Sequence, residues 1–145
     1  MRIAIFGVGG VGGYFGGKLA HHAEHELIFI ARGAHLEAIR EHGLHVQEPE
    51  NHFVVRPALA TDEPEQVGLV DVILVATKAW QVHEAAEQMR PMLGPDTVII
   101  PLLNGVEAPE QLAEHFGEKH VLGGFCRVMS QIEAPGKISQ GGTPP

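Results

Sequence analysis

Cysteine is almost missing from this sequence: Cys126 stands alone among 145 residues. No internal disulfide can form, so a stapled extracellular module is excluded, and a single thiol fits a reducing compartment. Positive charge is also scarce, with 10 Lys and Arg against 18 Asp and Glu, a net charge of −8 with neutral histidines. Such a balance opposes general binding to phosphate backbones, which argues against nucleic acid as a partner. No apolar run approaches the roughly 20 residues that span a bilayer. The opening run 3–6 is too short before Gly7 to be the core of a signal peptide. Neither composition nor pattern therefore points to a membrane. Internal repeats and low-complexity stretches are missing as well. What remains, at 44% apolar and 19% charged residues, is one ordinary globular domain. Its length suffices to bury about 70% of the surface that its unfolded chain exposes.

Glycine is the one excess, 18 residues with a cluster at positions 7–17. Around it, strand-like and helix-like segments alternate. Residues 3–6 form a short apolar run that stops at glycine, as a strand buried on both faces does. A helix follows over 12–22, a second buried strand over 27–31, and an amphipathic helix over 34–42 with Gly43 as its C-cap. Residues 44–47 and 53–55 alternate like a hairpin or edge strands, with the turn at 49–51. The pattern then predicts a strand over 70–76, a helix over 79–92, a strand over 97–103 broken by Pro101, and a helix over 106–116. Further strands are expected over 121–129 and 137–139, around a Pro135-Gly136 turn. This alternation implies right-handed crossovers and a mostly parallel sheet, a doubly wound, Rossmann-type α/β domain over residues 1–140. Residues 141–145, Gly-Gly-Thr-Pro-Pro, read as a tail or linker.

The sequence Gly7-Val8-Gly9-Gly10-Val11-Gly12 fits G-x-G-x-x-G. Alone the pattern could be a simple turn. Here it follows the first buried strand and opens a helix, within a strand–helix–strand unit of about 30 residues, the context of a dinucleotide fingerprint. Gly7 permits the tight turn, Gly9 allows a pyrophosphate to approach the backbone, and Gly12 lets the helix pack on the strand. Unpaired amides and the positive end of the helix then face the phosphates.

An NAD site places Asp or Glu at the end of the second strand for the ribose hydroxyls. This chain has Ala31-Arg32-Gly33-Ala34-His35 there, without a carboxylate. Arg32 offers a planar, permanently charged fork suited to a 2′-phosphate, so NADP(H) is favoured over NAD, with His35 as a secondary helper. The competing reading of Arg32 is a solvated arginine that starts a helix. Lys78 and Asn104 close the two later strands, where ligands of open α/β sheets sit. Lys78 could reach the cofactor ribose or a substrate carboxylate, or simply open a helix, where the dipole disfavours it. Asn104 could contact a ligand, cap the following helix, or do both. His21, His22 and His25 include a pair one helical turn apart, but no third ligand stands at metal spacing, so no metal is assigned. Cys126 reads as a core thiol in an apolar strand. Neither a G-x-S-x-G elbow nor a G-x-x-x-x-G-K-[ST] loop occurs.

The run Arg32-Gly33-Ala34-His35-Leu36-Glu37-Ala38-Ile39, the block Thr77-Lys78-Ala79-Trp80-Gln81, the block Leu103-Asn104-Gly105-Val106, and the stretch from Gly124 through Pro135-Gly136 together resemble the N-terminal half of the ketopantoate (2-dehydropantoate 2-) reductase family. The resemblance covers nearly the whole chain. It implies NADPH-dependent reduction of 2-dehydropantoate, or of another small 2-oxo acid, to the hydroxy acid, a cytoplasmic step of pantothenate biosynthesis. By the same resemblance Gly7, Val8, Gly9, Gly10, Val11 and Gly12 hold the pyrophosphate, and Arg32 holds the 2′-phosphate. Lys78 contacts the cofactor, Asn104 touches the nicotinamide ribose and the substrate, and Ser130 adds a main-chain cofactor contact. The family's second, helical domain, with its general-acid lysine, is expected to be absent here, so no catalytic residue is assigned to this chain. The unfinished sheet edge then favours self-association, a homodimer.

Overall fold

The computed structural model describes residues 1–142. Its main sheet contains β1 (Arg2–Phe6), β2 (Glu26–Ile30), β5 (Leu59–Thr61), β6 (Val70–Val75) and β7 (Leu93–Pro101). All pair in parallel, in the order β5-β2-β1-β6-β7. Chain order reverses between β1 and β6, so the carboxyl ends of these two strands flank a crevice, the place where such sheets take ligands. Helices α1 (Gly10–His22) and α2 (Gly33–His42) connect the strands on one side of that point, and α3 (Val82–Met89) and α4 (Ala108–Phe116) on the other.

The continuous apolar run of β1 makes sense in this frame, because its alternate residues enter two cores. Ala4 and Phe6 join Ile28, Ile73, Val75, Met89 and Leu112. Ile3 and Ile5 join Phe29, Tyr14, Leu36, Leu44 and Ile138. A strand buried on both faces has no polar positions to show.

The second core has a lid that the sequence pattern did not disclose. A separate four-stranded sheet, β4-β3-β9-β8, is built from β3 (Leu44–Gln47), β4 (His52–Val55), β8 (Ser130–Ala134) and β9 (Lys137–Gln140). Helix α1 lies between the two sheets. Cβ atoms added to α1 would meet Ile5 at Gly16 (2.9 Å), Ile138 at Gly13 (2.7 Å) and Val46 at Gly17 (2.7 Å). Each helical glycine forfeits about 1 kcal/mol against alanine. Close approach of a sheet on either flank compensates, and this explains the glycine excess.

Several boundaries differ from the sequence expectation. Residues 121–129 are not a strand: Val121 makes a single bridge to Ile99, and 122–129 are irregular. Gly123 and Gly124 weaken strand pairing there, and Phe125 is 91% exposed with nothing to pack on. Cys126 is therefore a partly buried loop thiol rather than a core strand residue; its Sγ lies 3.5 Å from the Leu102 carbonyl and burial pushes its pKa up. The stretch 79–92 is one α-helix flanked by two 3-10 turns, Ala79–Gln81 and Arg90–Met92, because Pro91 cannot continue the ladder. Helix α4 starts at Ala108, not at 106, after Gly105 turns with φ +99°. Strand β5, three residues long, went unread. The tail begins with a Gly141 N–H donated to the Met129 carbonyl at 2.9 Å, and residues 143–145 lie outside the described region. No helix among the described residues is long and apolar enough to cross a membrane.

Candidate functional site

A cleft of about 810 Å³ opens at the carboxyl ends of the main sheet. Its walls include Gly7–Val11, Arg32, Lys78, Asn104 and Ser130. Every sequence-predicted site residue except Gly12 thus borders one cavity.

The floor is the glycine-rich turn. Gly7 has φ +96°, a left-handed conformation, and its missing Cβ would stand 3.0 Å from the Ala76 carbonyl. The amides of Gly7 and Val8 both point to the Ile30 carbonyl, at 3.2 and 3.3 Å. These two residues shape the turn, with the Val8 side chain buried at 3% exposure. Gly9 is the N-cap of α1, so the amides that follow have no acceptor inside the helix and sit at its positive end. A Cβ on Gly9 would meet nothing within 4 Å. Gly12 lies behind the turn, and a Cβ there would overlap the Gly7 carbonyl oxygen and reach Ala76 Cβ at 3.0 Å. Gly10, a free position in the motif, is tightly restricted: a Cβ would run into the carbonyl of Ser130. Strand β8 therefore abuts the turn, which is how Ser130 comes to the cleft.

Arg32 precedes α2 as its N-cap, in extended backbone, with its side chain exposed and without a hydrogen bond or ion pair among the described residues. Lys78 follows β6 and opens the Ala79–Gln81 turn; its N–H donates to Gln81 Oε1 at 3.1 Å. Asn104 is exposed after β7. It does not cap α4, whose N-cap is Glu107, so the capping explanation for this asparagine falls. It also borders a second cavity, of about 370 Å³, beside the start of α4.

His35 is not a free phosphate helper. Its ring lies 2.7 Å from the Val8 carbonyl through Nε2 and accepts the Gly136 N–H on Nδ1 at 2.9 Å. Burial holds its pKa below the usual histidine value, against the opposing pull of the Val8 carbonyl. At the end of α1, His21 meets His22 edge-on with ring centroids 4.7 Å apart and stacks on Phe53 at 4.4 Å.

Several lining residues escaped the sequence reading, Asp62 and Thr77 among them. Asp62 follows β5 and brings a carboxylate to the cleft. The rule that found Lys78 and Asn104, a polar residue at a strand's carboxyl end, would have found it had β5 been recognised. Thr77 lies beside Lys78. Its Oγ1 and the Ser130 Oγ are buried and have no hydrogen-bond partner. Buried polar atoms are rarely left unpaired. With an open Gly9, helix-end amides and an unpartnered guanidinium, these two hydroxyls fit a polar, anionic, phosphate-bearing ligand.

Comparison with known proteins agrees with this architecture. The pattern of the family described as "Ketopantoate reductase PanE/ApbA" matches residues 3–144. A 2-dehydropantoate 2-reductase of Mesorhizobium japonicum is 31% identical, covering 95% of this chain and 48% of its own. The crystal structure of 2-dehydropantoate 2-reductase from Porphyromonas gingivalis W83 superimposes with a TM-score of 0.91 at 42% identity, over 97% of this chain and 51% of that one. A ternary structure of D-mandelate dehydrogenase with NADH and anilino(oxo)acetate gives 0.87 at 25% identity, over 99% and 46%. This chain spans about half the length of these relatives. With a match running from the first strand into the tail, and the glycine turn, Lys78 and Asn104 brought to one cleft, the chain belongs to the ketopantoate reductase PanE/ApbA family.

Proposed function

We propose that this chain is the cofactor-binding half of an NADPH-dependent oxidoreductase that reduces 2-dehydropantoate to pantoate in the cytoplasm. The observation that carries the cofactor choice is Arg32: an exposed, unpartnered guanidinium beside the glycine-rich turn, with no carboxylate at the end of β2. A 2′-phosphate there gains charge-assisted hydrogen bonds without displacing an existing partner. The chemistry that a bound reduced nicotinamide supplies is a hydride delivered to the carbonyl carbon of a 2-oxo acid. This chain's own residues bind and orient. The free amides after Gly9 receive the diphosphate, and Thr77 and Ser130 offer the hydroxyls that lack partners. Lys78 holds an ammonium at the cleft wall for ribose or carboxylate oxygens, and Asn104 offers both a donor and an acceptor to ribose and substrate. No group of this chain is assigned as the proton donor to the forming alkoxide. General acid catalysis is worth about 10²–10⁴-fold, and the part this reading gives to the residues described is to bind and orient the cofactor.

One observation favours a second reading. Asp62 also lines the cleft, and a carboxylate suits the ribose hydroxyls of NAD. Calorimetric titration of this chain with NADPH and NADH side by side separates the two. Tighter binding of NADPH supports the proposal, and equal or tighter binding of NADH overturns it in favour of the Asp62 reading.

A further inference from the structure

Two backbone groups far apart in sequence meet on the ring of His35. Gly136, in the β8–β9 turn, donates its N–H to Nδ1, and Nε2 faces the carbonyl of Val8. An amide N–H can only donate and a carbonyl can only accept. The ring is therefore the neutral tautomer with its proton on Nε2, the one state that satisfies both neighbours. The Val8 carbonyl belongs to the same planar trans peptide as the Gly9 N–H, so fixing one fixes the direction of the other, pointing the opposite way. A Cβ on Gly9 would meet nothing within 4 Å, and the hydrogen bond that the Val8 carbonyl makes is the one to His35. At its other end the bridge is anchored firmly, since Gly136 packs within 2.9 Å of Ala38 for a virtual Cβ, between α2 and the second sheet.

We propose that His35 is a positioning residue of the cofactor site: as a neutral imidazole it ties the glycine-rich turn to the β8–β9 hairpin and aims the Gly9 amide for a phosphate. The inference rests on the dinucleotide reading above. It also makes the site acid-sensitive. A second proton must enter at Nδ1, where it meets the Gly136 N–H instead of accepting it, and the bridge opens. The charged and titratable groups on the elements around the ring are Arg32 before its own helix and Glu37, Arg40, Glu41 and His42 along it, Glu133 and Lys137 beside the hairpin turn, and Asp62, Lys78 and Glu84 on the cleft wall. The glycine-rich turn itself carries none. Burial, the first cause of the ring's lowered pKa, acts on the neutral form's behalf.

The test is calorimetric titration of the chain with NADP⁺, from about pH 5 to pH 8, for wild type, His35→Gln and His35→Ala. Glutamine can still donate to the Val8 carbonyl and cannot titrate. It should bind within a few-fold of wild type near neutrality, with a flatter decline into acid. Alanine should bind about tenfold more weakly near neutrality, the loss expected when a buried acceptor is left unpaired. Protonation of the ligand's own 2′-phosphate is common to all three proteins and cancels in the comparison. Superimposable pH profiles for wild type and His35→Gln overturn the proposal, and this criterion stands even if the alanine variant does not fold. Imidazole ¹⁵N spectra of the ligand-free wild type give a readout independent of cofactor. A proton on Nε2 at neutral pH supports the bridge, and a proton on Nδ1 overturns it. A wild type that binds no NADP⁺ at any pH while its spectra show the Nε2 tautomer overturns the dinucleotide reading and the role in cofactor positioning with it, but leaves the bridge itself in place.

Discussion

Two alanine substitutions in the glycine-rich turn should fail in opposite ways. At Gly12 the new methyl group overlaps the carbonyl oxygen of Gly7 and stands 3.0 Å from Ala76 Cβ. The overlapping group is backbone in a turn that follows β1 and is already held by the Ile30 carbonyl of β2, so it cannot swing aside as a flexible side chain would. Overpacking against backbone falls in the upper part of the usual range, about 2–3 kcal/mol, and the better helix propensity of alanine returns about 1 kcal/mol. The net loss, about 1–2 kcal/mol, lowers the melting temperature by roughly 3–8 °C for a domain of this size. At Gly9 the backbone, φ −84° and ψ −154°, is open to alanine, and its methyl group would meet nothing within 4 Å. Gly9→Ala should therefore melt at the wild-type temperature or slightly above it, since fewer unfolded conformations are lost on folding. The same methyl group occupies the space into which a diphosphate must come to reach the amides, so NADP⁺ affinity should fall by about tenfold or more, the equivalent of one lost charge-assisted hydrogen bond. Thermal melts and calorimetric titrations of both variants read the two effects. A Gly9→Ala variant that binds NADP⁺ like wild type, or a Gly12→Ala variant that melts like wild type, refutes the assignment of approach to one glycine and packing to the other.

Arg32→Ala should weaken NADPH binding about 10- to 100-fold and leave NADH binding and the melting temperature unchanged, because the guanidinium has no partner among the described residues to lose. Glu48 accepts hydrogen bonds from Lys18 Nζ at 2.9 Å and Tyr14 Oη at 2.8 Å, and the Lys18 ammonium leads in holding its carboxyl below the usual value of 4.5. A lowered carboxyl pKa stabilises the fold above the unfolded value and loses that contribution as pH falls through the folded one. Urea midpoints of wild type should drop below about pH 4.5 more steeply than those of Glu48→Gln. Burial, together with Glu48, pushes the Tyr14 phenol up to about 12. Tyrosinate absorbance should accordingly appear near that pH, with stability falling between the ordinary value of 10 and 12. Thr97→Val should destabilise by about 1–3 kcal/mol in denaturant unfolding, since the buried hydroxyl donates to the Val70 carbonyl at 2.6 Å and accepts the Gly94 N–H at 2.8 Å.

How far the sequence could be read depended on whether a residue's reason was local. The turn at Gly7–Gly12 announces itself because tight turning, amide exposure and helix packing all act within six residues. Lys78 and Asn104 were found because long apolar strands mark their own ends. Asp62 was not, because a three-residue strand such as β5 has no periodicity to detect. The second sheet was hidden for a different reason. The β3–β4 hairpin and β9 were visible, but β8 was not, since the strand before the Pro135-Gly136 turn was expected over 121–129; and β3 joins β9 in parallel across about 90 intervening residues, a pairing that no local pattern records. The tight seat of Gly10 against Ser130, and the bridge made by His35, are consequences of that same long-range contact. Residues 121–129 misled because alternating apolar side chains usually face a core, and here Phe125 and Met129 remain exposed.

The most direct test of the account is a crystal structure of this chain grown with NADP⁺. The diphosphate should lie on the amides that follow Gly9 and the adenosine 2′-phosphate on the Arg32 guanidinium. A cleft with no dinucleotide in it at saturating concentration, or a bound dinucleotide with Arg32 turned away into solvent, contradicts it.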